Sequence, residues 1–454
     1  MRRGAWSTRY GIYLATVGSA FSLGNLWRFP YVVSSNGGGA FVLMYILCAL
    51  AVGLPIVVAE LMLGKAYRKS VIVATEEMST NSPHLWIQKT KVWSFVGTLA
   101  NFSSIVLLSF YSVICGWVLF FLMKYVAKIT VNAEISQAMF TSLMNNGWLQ
   151  VGLMSVHLLI TTIVVSRGLK EGIEKLTSWI MPVFAMIMIY LVFKSISLPG
   201  ATDAMRYLFY PDFSGFSKDT LLKVLGHVFF TLSVGMGAMV VFGSYLKEDS
   251  YVPRSGFKIA ILDITVCLFA GFLIFPILFT LGNIEDIGPS LLFNSLPVLF
   301  EKIGLGRFFG LLFFLGLYFA VLGASIMLLE TSVANLIDRS KITRQKASWI
   351  MIGVSFVLAL PPALSTTALS TVTVFNKSVL RFYDSLLIDT MLPLIVLGMA
   401  LVAGWGMPKK LKEDHFVNEN EMDSDKFFRN WNFLIRWFIP AVIILAIVLS
   451  LMPN

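Results

Sequence analysis

Eleven apolar runs, each roughly 18 residues or longer, follow one another along this chain. In hydrocarbon a run of that length has one economical fold, because a helix alone satisfies every backbone amide and carbonyl within the segment. The runs lie near 10–33, 40–66, 92–124, 149–166, 173–197, 219–244, 257–283, 306–336, 346–364, 379–405 and 431–452. Composition points the same way, with 57% hydrophobic and 13% charged residues, against about a quarter charged in a soluble domain. The expected fold class is therefore all-α and integral to a membrane.

Charge distribution sets the expected orientation. Met1 to Arg9 is short and basic and is followed by no small-residue cleavage site, so the N-terminus is expected to stay in the cytoplasm of a multi-pass protein of the cell membrane. Most of the 35 Lys and Arg residues then fall in cytoplasmic segments, as the positive-inside tendency requires. The net charge of +10 is thereby explained as topology. No basic module interleaved with aromatics occurs, and nucleic acid is not an expected partner. Cys48, Cys115 and Cys267 all lie in apolar runs and read as small packing residues. Between runs, 125–148 and 198–218 read as outer loops, 289–300 as a short outer helix or hairpin, and the charge-mixed 406–430 as a solvated inner linker.

Two runs are written against helix formation. Gly18 to Pro30 holds two glycines, two serines, an asparagine, an arginine and a proline, and Phe229 to Ala238 again places Ser and Gly at mid-run. Irregular backbone at membrane depth survives only inside protein or along a polar cavity. Its freed amides suit an anion and its freed carbonyls a cation. Glycine-mediated helix packing is the plain alternative, but it accounts for the glycines and not for Asn25 or Arg28. The two segments are the first and sixth runs, five apart, and paired interruptions in corresponding halves point to a transporter site between repeats. An enzyme is not expected, since no His-Glu-x-x-His, Gly-x-Ser-x-Gly or phosphate loop is found.

The run Gly24-Asn25-Leu26-Trp27-Arg28-Phe29-Pro30, then Asn36-Gly37-Gly38-Gly39-Ala40-Phe41, and Phe229-Phe230-Thr231-Leu232-Ser233 resemble the neurotransmitter:sodium symporter family. The resemblance implies a fold of two inverted five-span repeats, 1–200 and 201–405, with 406–454 forming a linker and an eleventh C-terminal helix. It implies alternating access around a central site. Substrate contacts carried over are Ala20, Ser22, Leu23, Gly24, Leu107, Tyr111, Phe230, Thr231, Ser233, Met236, Ala324 and Leu328. The amides of Leu23 and Gly24 and the Tyr111 hydroxyl would hold a carboxylate, and the carbonyls of Ala20, Phe230 and Thr231 with Ser233 an ammonium. The side-chain wall is apolar, which suits a neutral hydrophobic or aromatic amino acid. Ser22 stands where monoamine transporters of the family carry aspartate, so decarboxylated amines are not expected substrates.

For ions, the resemblance implies a first sodium site at Ala20, Asn25, Thr231 and Asp263. An aspartate at mid-span costs roughly 2.5–3.5 kcal/mol to insert, which marks it as functional. It also supplies the negative charge that eukaryotic members take from chloride, so chloride is not expected. A second sodium site would use carbonyls of Gly18, Phe21 and Ala320, but its two hydroxyl ligands fall on Gly323 and Ala324, which have none. The outer gate is expected to pair Arg28 with Asp384, with His227 beside it as either a titrating or an inert imidazole. Arg381 replaces an acidic residue in this vestibule and biases it toward anionic groups. The inner gate would bring Arg3 and Trp6 to Asp338 and Tyr245, and Glu60 would accept amides at the break in the sixth run. The function expected is a symporter for neutral hydrophobic or aromatic amino acids using one sodium ion. Proton-coupled or sodium-independent transport, or amino-acid sensing on the same fold, are the alternatives.

Overall fold

The computed structural model describes residues 23–82, 84, 87–88, 92–127, 133–168, 175–282, 291–302, 306–416 and 424–452. The first described helix, α1 (Phe29–Ser35), is entered through a π-helical turn, Gly24–Arg28. It is followed by α2 (Gly39–Tyr67), α3 (Val71–Thr80), α4 (Val92–Val126), α5 (Ala133–Met144) and α6 (Gly147–Ser166). Next come α7 (Lys175–Ile196), α8 (Ala201–Phe209), α9 (Thr220–Thr231), α10 (Ala238–Ser244), α11 (Val252–Leu281) and α12 (Leu291–Lys302). The chain closes with α13 (Gly306–Ser340), α14 (Arg344–Ala363), α15 (Val379–Gly406), α16 (Lys409–Phe416) and α17 (Ser424–Leu451).

Among the described residues, 8 helices are long and apolar enough to cross a membrane, and the apolar α7 meets α8 at a bend of 107°. The sixth run is interrupted as its composition implies. Between α9 and α10, Ser233, Gly235 and Gly237 take φ of 54°, 76° and 73°, a left-handed backbone that glycine adopts without steric cost. The described part of the first run departs from regular helix at the Gly24–Arg28 π turn.

Four helices share a local rule. π turns at Gly24–Arg28, Ala49–Gly53, Leu386–Met391 and Leu434–Phe438 each end two residues before a proline, namely Pro30, Pro55, Pro393 and Pro440. Proline offers no amide and its ring collides with the carbonyl four residues back. Widening the preceding turn removes the collision and keeps the span continuous.

α4 and α13 run along one another at the centre, with α6 and α14 packed behind them. Against this block sit α2 and α10, whose approach depends on two glycines. A Cβ on Gly64 would come within 1.8 Å of the Val240 carbonyl oxygen, and one on Gly243 within 2.1 Å of the Leu61 carbonyl oxygen. Backbone cannot give way as a side chain can, so overpacking here costs about 1–3 kcal/mol or more. Gly64→Val is expected to lower the melting temperature of the purified protein and to spread its size-exclusion peak. Gly152→Ala, whose Cβ meets no described atom within 4 Å, is expected to do neither.

Three sequence expectations are modified. The 125–148 segment contains a helix, α5, while over 289–300 the short-helix alternative is the one found, overlapping the 12-residue α12. The described parts of the 406–430 linker pack against the protein instead of standing in solvent. Lys412 is fully buried there, its Nζ donating to Gly404 O at 2.9 Å and to Asn432 Oδ1 at 3.1 Å. Burial and the nearby Arg436 pull its ammonium down to about 7. The alternating charges hid an apolar stripe, Phe416, Phe428 and Trp431, that is buried, with Trp431 donating to Pro55 O. Cys48, Cys115 and Cys267 are free and buried, as expected.

Candidate functional site between the helix breaks

A small cavity lies where the break between α9 and α10 faces α4 and α13. Helical spacing builds its walls, since Leu107 and Tyr111 are four apart on α4, and Ala324, Met327 and Leu328 share one face of α13. Phe230, Ser233 and Ala238 complete it from the broken segment. The structure thus brings together Leu107, Tyr111, Phe230, Ser233, Ala324 and Leu328 from the sequence-derived set. It adds Ala238 and Met327, and it leaves the buried Met236 out of the lining. Leu23 and Gly24 are buried at the start of the π turn. Ala20 and Ser22 lie outside the described residues.

Among the described residues, no charged side chain lines this cavity. Its main polar group is the Tyr111 hydroxyl, which is buried with no hydrogen-bond partner among the described residues. Such an orphan is costly unless a ligand completes it. The broken backbone is otherwise secured. Gly235 N–H donates to Glu60 Oε1 at 2.7 Å, as expected for Glu60, while Ser103 and Ser104 donate to the carbonyls of Gly235 and Met236 at 3.2 and 2.6 Å.

Asp263, on α11, is 1% exposed and collects three donors. Asn25 Nδ2 reaches Oδ1 at 2.7 Å, and Tyr45 OH and Thr231 Oγ1 reach Oδ2 at 2.7 and 2.8 Å. Tyr45 OH also contacts Cys267 Sγ at 3.1 Å. Asn25 spends its amide nitrogen on Asp263, and its Oδ1 is buried with no hydrogen-bond partner among the described residues. A carboxylate beside a free amide oxygen and a threonine is a donor set suited to a hard cation. Tyr45 was not singled out from the sequence; a tyrosine within an apolar run was its only signal.

Arg28 makes the ion pair expected of it and one contact more. Its Nε lies 3.4 Å from Asp384 Oδ1, its Nη2 3.5 Å from Asp389 Oδ1, and its Nη1 3.3 Å from His227 Nδ1. Asp389 was missed because five residues on from Asp384 is the wrong face of an α-helix. The π turn Leu386–Met391 resets the register and turns both carboxylates to Arg28. His227 is fully buried and stacks on Phe29 at 5.7 Å with Tyr45 at 5.4 Å. The guanidinium is also 5.9 Å from the ring of Phe230, a residue of the cavity wall.

At the opposite end, Tyr245 OH donates to Glu330 Oε1 at 2.7 Å, and Arg344 grips the same carboxylate at 2.6 and 3.0 Å. Asp338 Oδ2 accepts the Ser70 amide at 2.8 Å. Arg3 and Trp6 lie outside the described residues, so their meeting with Asp338 and Tyr245 does too. Glu330 was not singled out, although an acid within an apolar run is its own signal. Of the second ion site, Gly18 and Phe21 are outside the described residues. Ala320, Gly323 and Ala324 lie on α13, and a Cβ on Gly323 would meet no described atom within 4 Å.

The comparisons with known proteins agree with this architecture. The chain is 32% identical over 446 residues to the uncharacterized sodium-dependent transporter YhdH of Bacillus subtilis (strain 168), covering 97% of this chain and 96% of that protein. It is 26% identical over 318 residues to the mouse sodium-dependent neutral amino acid transporter B(0)AT2, covering 63% of this chain and 42% of that protein. The crystal structure of MhsT in complex with L-phenylalanine superposes with a TM-score of 0.91 at 31% identity, covering 99% of this chain and 100% of that one. The model of the sodium:neurotransmitter symporter family matches residues 3–131 and 124–454. With matches that run nearly end to end and helices broken around a buried cavity, the chain belongs to the sodium:neurotransmitter symporter family.

Proposed function

We propose that this protein is a secondary active symporter that carries a neutral amino acid with an apolar or aromatic side chain together with one sodium ion. The observation that carries the reading is the unpartnered Asn25 Oδ1 beside the Asp263 carboxylate and Thr231. Sodium between them would receive formal charge as well as oxygen ligands, which makes chloride unnecessary. The carboxylate of the substrate would lie against the Leu23 and Gly24 amides and the Tyr111 hydroxyl. Its ammonium would face Ser233 and the carbonyls of Phe230, Thr231 and Ala20, near Ser22, and its side chain the uncharged wall of Leu107, Phe230, Ala324 and Leu328. A transporter solved with L-phenylalanine and a neutral amino acid transporter among the relatives support that substrate class.

In the proposed cycle, the first, second, sixth and seventh runs rock against a scaffold of the others around a fixed central site, with the N-terminus in the cytoplasm. Arg28, held by Asp384 and Asp389 beside His227, closes the outer side above Phe230. The Glu330–Arg344–Tyr245 cluster and Asp338, with Arg3 and Trp6, close the inner side. The second site, at Gly18, Phe21 and Ala320, lacks hydroxyls at Gly323 and Ala324 and holds no sodium in this reading. A proton bound at Asp263 in place of sodium is the second reading, because the same buried carboxylate can take either.

Uptake of labelled phenylalanine and leucine into proteoliposomes, with sodium and proton gradients imposed separately, tests both. Accumulation driven by sodium alone is expected. Accumulation driven only by protons selects the second reading, and saturable binding with no accumulation under any gradient overturns transport.

A further inference from the structure

We propose that α16 is a pH-sensitive strap, tying the inner ends of α2 and α11 to those of α15 and α17 when the Lys412 amine is uncharged and slackening when it takes a proton. The helix packs on α2, α11 and α17. Its Phe416 ring lies 5.2 Å from that of Trp431 on α17, and Trp431 in turn donates Nε1–H to the Pro55 carbonyl of α2 at 3.0 Å. Lys412, one turn back, fixes the other end, with its Nζ 2.9 Å from Gly404 O near the end of α15 and 3.1 Å from Asn432 Oδ1 of α17. In the cycle proposed above, α2 and α11 belong to the moving group and α15 and α17 to the scaffold, so a docked α16 bridges the two and slows their rocking. That brake rests on the transport reading, whereas the strap does not.

The docked amine is poorly placed to carry a charge. Lys412 is fully buried, and both of its acceptors are neutral oxygens. One of them, Gly404 O, also accepts Arg436 Nε at 2.8 Å, so two cations would converge on a single carbonyl. Among the described residues no carboxylate bonds to the amine, and the neighbouring Glu413 pairs instead with Lys409 at 3.4 Å. Of the elements packed on α16, α17 presents Arg436, α2 sets Lys65 and Arg68 near His415, and α11 brings Arg254 to the groove beside Phe416. Burial, and then Arg436, pull the Lys412 pKa from 10.5 to about 7. A lysine released into water keeps the ordinary value. Between those two values the docked state has shed a proton that the undocked state retains, so docking tightens by up to about tenfold for each unit of rising pH. Below about pH 7 the amine is charged in both states and the dependence ends. His415, held below 6.5 by burial, is uncharged across this window and adds nothing to it.

Amide hydrogen exchange on the full chain in lipid nanodiscs, without substrate or ion gradient, tests the strap, each rate being divided by the intrinsic rate at its pH. Protection of residues 412–416 in the wild type is expected to rise at least tenfold from about pH 7 to about pH 9. Lys412→Met, which keeps the length and cannot charge, should show no such rise. Lys412→Arg, charged at every pH, should be at least tenfold less protected than the wild type at the higher pH, with unchanged protection across 443–451 reporting that both variants fold. Uptake into proteoliposomes with an alkaline lumen should be faster in Lys412→Arg than in the wild type. The proposal is overturned if wild-type protection is flat across the range, if Lys412→Met keeps the rise, or if uptake is equal in the two proteins although their protection differs. Absence of uptake in all three proteins with the exchange pattern intact would count against the transport reading and in favour of the strap.

Discussion

Replacing Asp263 by alanine should lower amino-acid uptake by an order of magnitude or more in a protein that still folds. The carboxylate is where three side-chain donors converge, from Asn25, Tyr45 and Thr231. Its removal takes from each donor its shortest acceptor, leaving Tyr45 the Cys267 sulfur at 3.1 Å and Asn25 and Thr231 only long contacts to the carbonyls of residue 263 and Val228 at 3.5 and 3.4 Å, at about 1–3 kcal/mol for each that finds no better partner. The larger consequence is electrostatic. A sodium ion at this depth needs a negative charge close by, and among the described residues no other acidic side chain is bonded to these groups. Asp263→Asn separates charge from shape, because it keeps the volume and an acceptor oxygen while deleting the charge. In that variant the apparent sodium affinity is expected to fall at least tenfold, and added chloride should restore part of it by supplying the anion from solution. Sodium titrations of uptake with and without chloride read this directly. An Asp263→Asn protein with wild-type sodium affinity and no response to chloride would show that the carboxylate is structural.

Initial uptake is expected to rise with the first power of sodium concentration, and restoring two hydroxyls on α13 should make it rise with the second. Gly323 and Ala324 contribute no side-chain oxygen, and sodium requires several oxygen ligands. A Cβ on Gly323 would meet no described atom within 4 Å, so the double change Gly323→Ser and Ala324→Ser has room for at least the first hydroxyl. A Hill coefficient near 1 in the wild type and near 2 in the double variant is the expected pair of results, measured together with sodium-to-substrate flux ratios. A wild-type coefficient of 2 would show that carbonyls and water complete the second site unaided.

Several site residues were legible before any coordinates because each is anomalous in a membrane run. Asn25, Arg28 and Asp263 are costly in hydrocarbon, and the glycines around Ser233 weaken the helix they interrupt, so each stands out against its neighbours. Tyr45, Met327 and Ala238 carry no such signal, being ordinary residues of apolar runs. Asp389 was hidden by geometry, since only the π turn at Leu386–Met391 brings it to the face of Asp384. The 406–430 linker misled because its charges alternate, while the fold uses the apolar residues between them.

By itself, the sequence determined the membrane class, the two interrupted runs and the family, because hydrocarbon penalises unpaired backbone and charge strongly enough to leave a pattern in one dimension. Packing decided which donors converge on Asp263 and that Arg28 is shared by two carboxylates. Those facts depend on helix register, rotation and close approach, as at Gly64 and Gly243. Such variables are set by packing between segments far apart in the chain, and no local composition records them.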